Sequence, residues 1–148
     1  MDCLCQIHTT GLCHRDVQPE NTVVVEGRNA CLIDFACAST ANEATPFVGT
    51  THYAPRSVLE TLGNVEENTT PTPAHDLESL VYTIYDLSRP IEKRPEAVSI
   101  SEADFYLRVG TIKDKWIEEA ASSTLLFELL DLARRSDYDG LKAAFEKK

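Results

Sequence analysis

Residues 14–21 read His14-Arg15-Asp16-Val17-Gln18-Pro19-Glu20-Asn21, and residues 32–36 read Leu32-Ile33-Asp34-Phe35-Ala36. Around and between them, the short β-prone runs Thr22-Val23-Val24-Val25 and Ala30-Cys31-Leu32-Ile33 flank the polar segment Glu26-Gly27-Arg28-Asn29. Two such runs about a turn containing Gly and Asn predict a β-hairpin. Closed symmetrically about Gly27 and Arg28, the hairpin sets Asn21 opposite Asp34 at its open end, so two oxygen-bearing side chains face one space.

Helical periodicity dominates on both sides. Cys3 to His8 reads as the end of a helix stopped by Gly11. Residues 35–74 are mostly loop, with a short helix from Arg56 to Leu62. From Pro73, the spacing of Leu77, Leu80, Val81, Ile84, Tyr85 and Leu87 predicts a broad-faced central helix over 73–88, with Pro73 suited to its first turn. Further helices are predicted at Ser101 to Val109, opened by a Ser101-to-Asp104 capping pattern, at Lys113 to Ala121, at Ser123 to Arg135 and at Tyr138 to Lys147. The fold class expected is mainly α (α+β), helical with one small hairpin.

The two motifs, at this spacing across a hairpin, resemble the catalytic loop (HRDLKPEN) and metal-binding motif (DFG) of eukaryotic-type protein kinases. The resemblance implies a kinase C-terminal lobe whose hairpin carries the catalytic and metal-site loops, with Ser/Thr phosphoryl transfer from ATP to protein hydroxyls as its chemistry. Phosphoryl transfer asks the protein to orient a hydroxyl and neutralise charge. By resemblance, Asp16 in the catalytic loop 14–21 takes the hydroxyl's proton, with Arg15 and Gln18 beside it. Asn21 and Asp34 hold Mg²⁺, and with it ATP, through hard oxygen ligands. His14 and Phe35 are structural supports.

More of the chain matches. Residues 34–56 resemble an activation segment, in which Thr50 is the substrate-facing threonine and Thr40, Thr45 and Thr51 are candidate phosphosites for pairing with Arg15. His75-Asp76-Leu77-Glu78-Ser79-Leu80-Val81-Tyr82 looks like the DDLESLGY helix of the casein kinase 1 group, whose aspartate braces the catalytic loop. Asp76 takes that role by resemblance, and Tyr138 to Phe145 is similar to the same group's last helix. Three positions depart from the pattern. Gln18 stands where Ser/Thr kinases carry a lysine, Ala36 replaces the glycine of DFG, and Arg56 replaces the glutamate of APE, so the family's buried ion pair has no acid at that position.

The 148 residues suit one domain, and no GxGxxG or VAxK sequence occurs in them. The expectation is a single truncated domain, 1–148, with C-terminal helices over 101–147 and without the ATP-binding lobe. As an isolated chain it is expected to be weakly active or inactive. The alternatives are a non-catalytic pseudokinase module that engages proteins, or a fragment of a longer kinase.

Acidic residues outnumber basic ones 24 to 14, a net charge of −10. That balance argues against nucleic-acid binding by phosphate neutralisation. There is no long apolar run or signal-peptide pattern, so the reading is an intracellular protein, cytoplasmic or nuclear, off the membrane. The five cysteines form no CxxC and are expected as reduced thiols. The expected partner is a protein, substrate or otherwise. The face bearing the hairpin and Phe35, which a second lobe covers in the family, is expected to be apolar and to drive dimerisation or docking.

Overall fold

The computed structural model of the chain describes residues 1–25, 29–89 and 101–146. Six helices and three two-stranded antiparallel ribbons are found among these residues. The helices are α1 (Asp2–Thr9), α2 (Arg56–Gly63), α3 (Pro73–Leu87), α4 (Glu102–Ser122), α5 (Thr124–Arg134) and α6 (Tyr138–Glu146). The strands are β1 (Leu12–Cys13), β2 (Thr22–Val25), β3 (Asn29–Leu32), β4 (Ser39–Thr40), β5 (Thr45–Pro46) and β6 (Asn68–Thr69). The helical C-lobe-like architecture with a small hairpin is the one expected.

α3 is the central element. Pro73 occupies its first turn, where a missing N–H costs nothing. Leu77 and Val81 are fully buried, and Tyr82 stacks on Trp116 of α4 with ring centroids 4.2 Å apart. α5 lies along α3 and buries Leu126, Leu129, Leu130 and Ala133, while Leu141 of α6 and Leu4 of α1 close the same core. Truncating any one of these leucines to alanine removes packing worth about 2–5 kcal/mol.

Two expectations need correction. The helices predicted at 101–109 and 113–121 are one helix, α4, capped by the Ser101 Oγ that accepts from Asp104 N at 3.2 Å. Gly110 does not break it. Val109, Ile112 and Trp116 form one buried stripe through that point, and packing on α2 outweighs the roughly 1 kcal/mol that a mid-helix glycine costs. The hairpin is also shifted by one residue: Thr22 pairs with Leu32, and Val23 with Cys31. Asn21 therefore lies across from Ile33, whose N–H donates to the Asn21 carbonyl at 2.9 Å, and not from Asp34. The expected turn at Gly27 and Arg28, and the helix end at Lys147, lie outside the described residues.

The nominal loop over residues 35–74 contains three short strands that pattern reading did not anticipate. β4 pairs with β1, Leu12 opposite Thr40, and β5 pairs with β6, Thr45 opposite Thr69. Two-residue strands are too short to show an alternation, yet the β1–β4 ribbon ties residues 39–40 to the entrance of the 14–21 loop, and the β5–β6 ribbon ties residues 45–46 to residues 68–69.

Candidate active site

The 14–21 loop is held from beneath by one carboxylate. Asp76, 1% exposed in the first turn of α3, accepts the N–H of His14 at 2.6 Å on Oδ2 and that of Arg15 at 2.8 Å on Oδ1. Charge-assisted bonds of this kind are roughly twice as strong as neutral ones. The His8 imidazole donates from Nε2 to Asp76 Oδ2 at 2.9 Å, and its Nδ1 meets the Tyr138 hydroxyl of α6. Cys13 lies beside this chain of bonds, its thiol pushed up to about 12 by burial and then by the Asp76 charge. His8, Cys13 and Asp76 bring their donor atoms within 4.8 Å of one another. Both Asp76 oxygens are committed to backbone, so the cluster works as a brace. Farther along the loop, the Thr83 hydroxyl of α3 donates to the Val17 carbonyl at 3.2 Å.

This support places Asp16 at the centre of a set of donors. Its Oδ2 accepts from Gln18 Nε2 at 2.8 Å and from Asn21 Nδ2 at 2.7 Å, and its Oδ1 accepts the Thr50 N–H at 2.7 Å. A carboxylate has about four lone-pair sites, so the remaining one is on Oδ1. The Thr50 bond depends on Gly49, at φ +119°, where an added Cβ would stand 2.7 Å from the Arg15 carbonyl oxygen. Only glycine allows this approach.

Asn21 is buried, and Nδ2 also donates to the Asp16 carbonyl at 2.9 Å. With that nitrogen committed, Oδ1 is the amide atom left for a cation. Asp34 adopts the left-handed conformation, φ +62°, and its Oδ1 accepts the Ala36 N–H at 3.2 Å. The two carboxylates Asp16 and Asp34 both bear on the Cys37 thiol, which is raised first by burial and then by these charges, with Arg15 opposing. An amide oxygen and a carboxylate are hard donors of the type Mg²⁺ takes, so each of the two residues is chemically suited to that ion.

The neighbouring positions complete the loop. His14 is fully buried, donates from Nε2 to the Ile33 carbonyl at 3.1 Å and meets the Phe35 ring edge to face, with centroids 4.9 Å apart. Phe35 remains 48% exposed, and Val23 and Ile33, which the strand alternation sets on one side of the hairpin, are exposed as well. Arg15 reaches into residues 37–46, donating to the Cys37 carbonyl at 3.4 Å, to Ser39 Oγ at 3.3 Å and to the Pro46 carbonyl at 2.5 Å. Thr45 lies in β5, Thr51 in a single turn of 3-10 helix (Thr51–Tyr53), and Thr40 is exposed in β4. The hydroxyl beside Arg15 is thus Ser39, which sequence reasoning passed over because only folding of the segment sets it there.

The backbone at Arg56, where the resembled motif carries an acid, is held by a glutamate of the central helix. Glu78 of α3, 4% exposed, accepts from the Arg56 N–H at 3.0 Å, from the Tyr82 hydroxyl at 2.7 Å, and from Arg134 of α5 through Nε and NH2 at 3.1 and 2.9 Å. Burial alone would raise its carboxyl; the Arg134 and Tyr82 bonds outweigh that and hold it below the ordinary value. Trp116 donates to the His52 carbonyl at 2.8 Å and Tyr53 to Asp86 at 2.9 Å, so the end of the segment is anchored to α3 and α4 as well.

An acid-centred loop over a buried aspartate, followed by a hairpin and a long tethered segment, is the arrangement of a protein-kinase-like fold. No family model matches the chain. Among curated proteins it is similar to the stress-activated protein kinase JNK of Suberites domuncula, 38% identical over 56 residues, covering 36% of this chain and 16% of that protein. It is also similar to 3-phosphoinositide-dependent protein kinase 1 of Arabidopsis thaliana, 31% identical over 102 residues, covering 59% of this chain and 19% of the relative. The chain thus spans less than a fifth of these relatives' length. Among solved structures, the kinase PK-1 of Cydia pomonella granulovirus superposes with a TM-score of 0.57 at 15% identity, over 95% of this chain and 52% of that one. The fold is that of a protein kinase's helical lobe.

Proposed function

We propose that this chain carries the hydroxyl-orienting half of a Ser/Thr protein kinase active site, patterned most nearly on the casein kinase 1 group. The observation that carries the reading is the Asp16 carboxylate, fixed by three donors with one lone-pair site remaining on Oδ1. A substrate hydroxyl donates to that site and is aligned for attack, and Asp16 then receives its proton. Asn21 Oδ1 and the Asp34 carboxylate are the groups that hold Mg²⁺. When bound, Mg²⁺ and ATP supply the phosphoryl group and neutralise its charge. The glycine-rich loop and lysine strand of the nucleotide site come, in this reading, from another segment or another chain. The protein acts inside the cell on a protein substrate.

A second reading, a non-catalytic interaction module, is favoured by Gln18. Its amide is spent on Asp16, and it brings no positive charge to a transferring phosphoryl group. The loss of such a contact costs about 2–4 kcal/mol of transition-state stabilisation, roughly two to three powers of ten in rate. The test is a titration with millimolar Mg²⁺ and ATP, read by thermal stabilisation and by phosphate transfer to Ser/Thr peptides, with Asp16→Asn as control. Stabilisation and transfer that Asp16→Asn abolishes are expected. No stabilisation by nucleotide and metal would sink the catalytic reading and leave the module.

A further inference from the structure

We propose that the groove between α2, α4 and α5 is a docking socket for an acidic segment of a partner protein, one that inserts a single large apolar side chain. The floor is Leu59 of α2, Trp116 and Ile117 of α4, and Phe127 of α5. Its volume is about 180 Å³. That is below the roughly 300–1,000 Å³ of sites that enclose a small molecule, and it matches one bulky side chain. Phe127 is 62% exposed although its neighbour Leu126 is fully buried, so the ring belongs to the groove and not to the core. A large aromatic left in water beside a concave apolar surface is the composition of an interface anchor point.

Charge selects the occupant. The chain carries a net charge of −10 with 14 basic residues, yet Arg56, Lys113 and Arg134 all stand at this one groove. Arg56 engages Glu60 through Nε only, and Arg134 engages Glu78 through Nε and NH2, which leaves further N–H donors on both guanidinium groups. Lys113 pairs with no carboxylate among the described residues. Carboxylates flanking an inserted apolar side chain satisfy these cations, whereas a basic segment is repelled by them. The same net charge disfavours a nucleic-acid occupant.

The experiment selects a random short-peptide display library on the immobilised full chain and measures the enriched peptides by fluorescence polarisation. Expected are peptides with one Leu, Phe or Trp flanked by Asp or Glu. Each of Lys113→Glu and Phe127→Ala weakens their binding about tenfold, and Arg135→Glu, a charge change at a residue that does not line the groove and pairs with Asp131, leaves it unaltered. Circular dichroism establishes that the variants are folded. Failure to enrich any peptide overturns the proposal, as does enrichment of peptides without acidic residues or equal binding to all variants. Two further results overturn it: a dimer by sedimentation that Phe127→Ala dissociates, which gives the groove to a second copy, and binding to phosphatidylglycerol vesicles lost in Lys113→Glu with no peptide selected, which gives it to a lipid surface.

Discussion

Glu78 and Arg134 form a two-pronged ion pair across 56 residues of sequence, Nε to Oε2 at 3.1 Å and NH2 to Oε1 at 2.9 Å. The same carboxylate receives the Arg56 N–H that ends the 34–56 segment, so one side chain of α3 fastens both that segment and α5. Residue 56 is itself a cation, and the acid that pairs with Arg134 lies on the central helix.

Replacing Glu78 by Ala strands the Arg134 guanidinium and the Tyr82 hydroxyl. Because Arg134 is 41% exposed, water recovers part of its solvation. The expected loss is about 2–4 kcal/mol, read as a fall in Cm on urea unfolding at constant m. The pH dependence has a definite sign. Glu78 titrates below its ordinary 4.5 in the folded chain, so its contribution is complete above that value and disappears as pH falls through the folded pKa. Tm of the wild type should therefore fall more steeply below pH 4.5 than that of Glu78→Gln; parallel curves would show that the carboxylate is not held low.

Asp76 governs the order of the 14–21 loop. Asp76→Ala removes the acceptor of a buried N–H group at His14 and a part-buried one at Arg15, an expected cost of about 3 kcal/mol. Amide exchange at His14 and Arg15 should accelerate toward the rate of global unfolding in the variant. Unchanged protection at both amides would mean that the loop is held by β1 and β4 instead.

The parts that were legible in the sequence are those whose physics is local. His14 to Asn21 must keep fixed spacing to work as one loop, and α3 announces itself by the period of Leu77, Leu80, Val81 and Ile84. Asp76 was readable because it opens that helix inside a recognisable run. The hairpin was readable but not its register, since a one-residue shift alters no local propensity. Glu78 with Arg134, and Arg15 with Ser39, were illegible for a different reason. Each is a tertiary encounter between residues whose local patterns carry no trace of the other. In the same way, α4 runs on through Gly110 because packing against α2 outweighs the local helix propensity, and no neighbouring residue signals that.

Cys13 and Cys31 should differ sharply in reactivity. The Cys13 thiol is fully buried and pushed up to about 12, whereas Cys31 is exposed on the hairpin. Alkylation depends on thiolate and access. Iodoacetamide at pH 8 followed by peptide mass spectrometry should label Cys31 fully before Cys13 is detectably modified, and the two should react alike in urea. Early labelling of Cys13 would show that the brace around Asp76 opens in the native state.

Gly49→Ala tests whether the capped Asp16 carboxylate depends on the close approach of the 34–56 segment. A Cβ at residue 49 meets the Arg15 carbonyl oxygen at 2.7 Å, and φ +119° is itself unfavourable for an L side chain. The segment must withdraw, which breaks the bond from Thr50 N to Asp16 Oδ1. Global stability should drop by about 1–3 kcal/mol, since the strain is at one residue and β5, Trp116 and Tyr53 still hold the flanks. Local exchange at the Thr50 amide should rise far more than this drop accounts for, while the amides of His14 and Arg15, bound to Asp76, stay protected. Uniform acceleration at all three would place the segment and the loop in one cooperative unit. Unaltered exchange at Thr50 would show that the approach tolerates a methyl group and that glycine is not what sets the cap on Asp16.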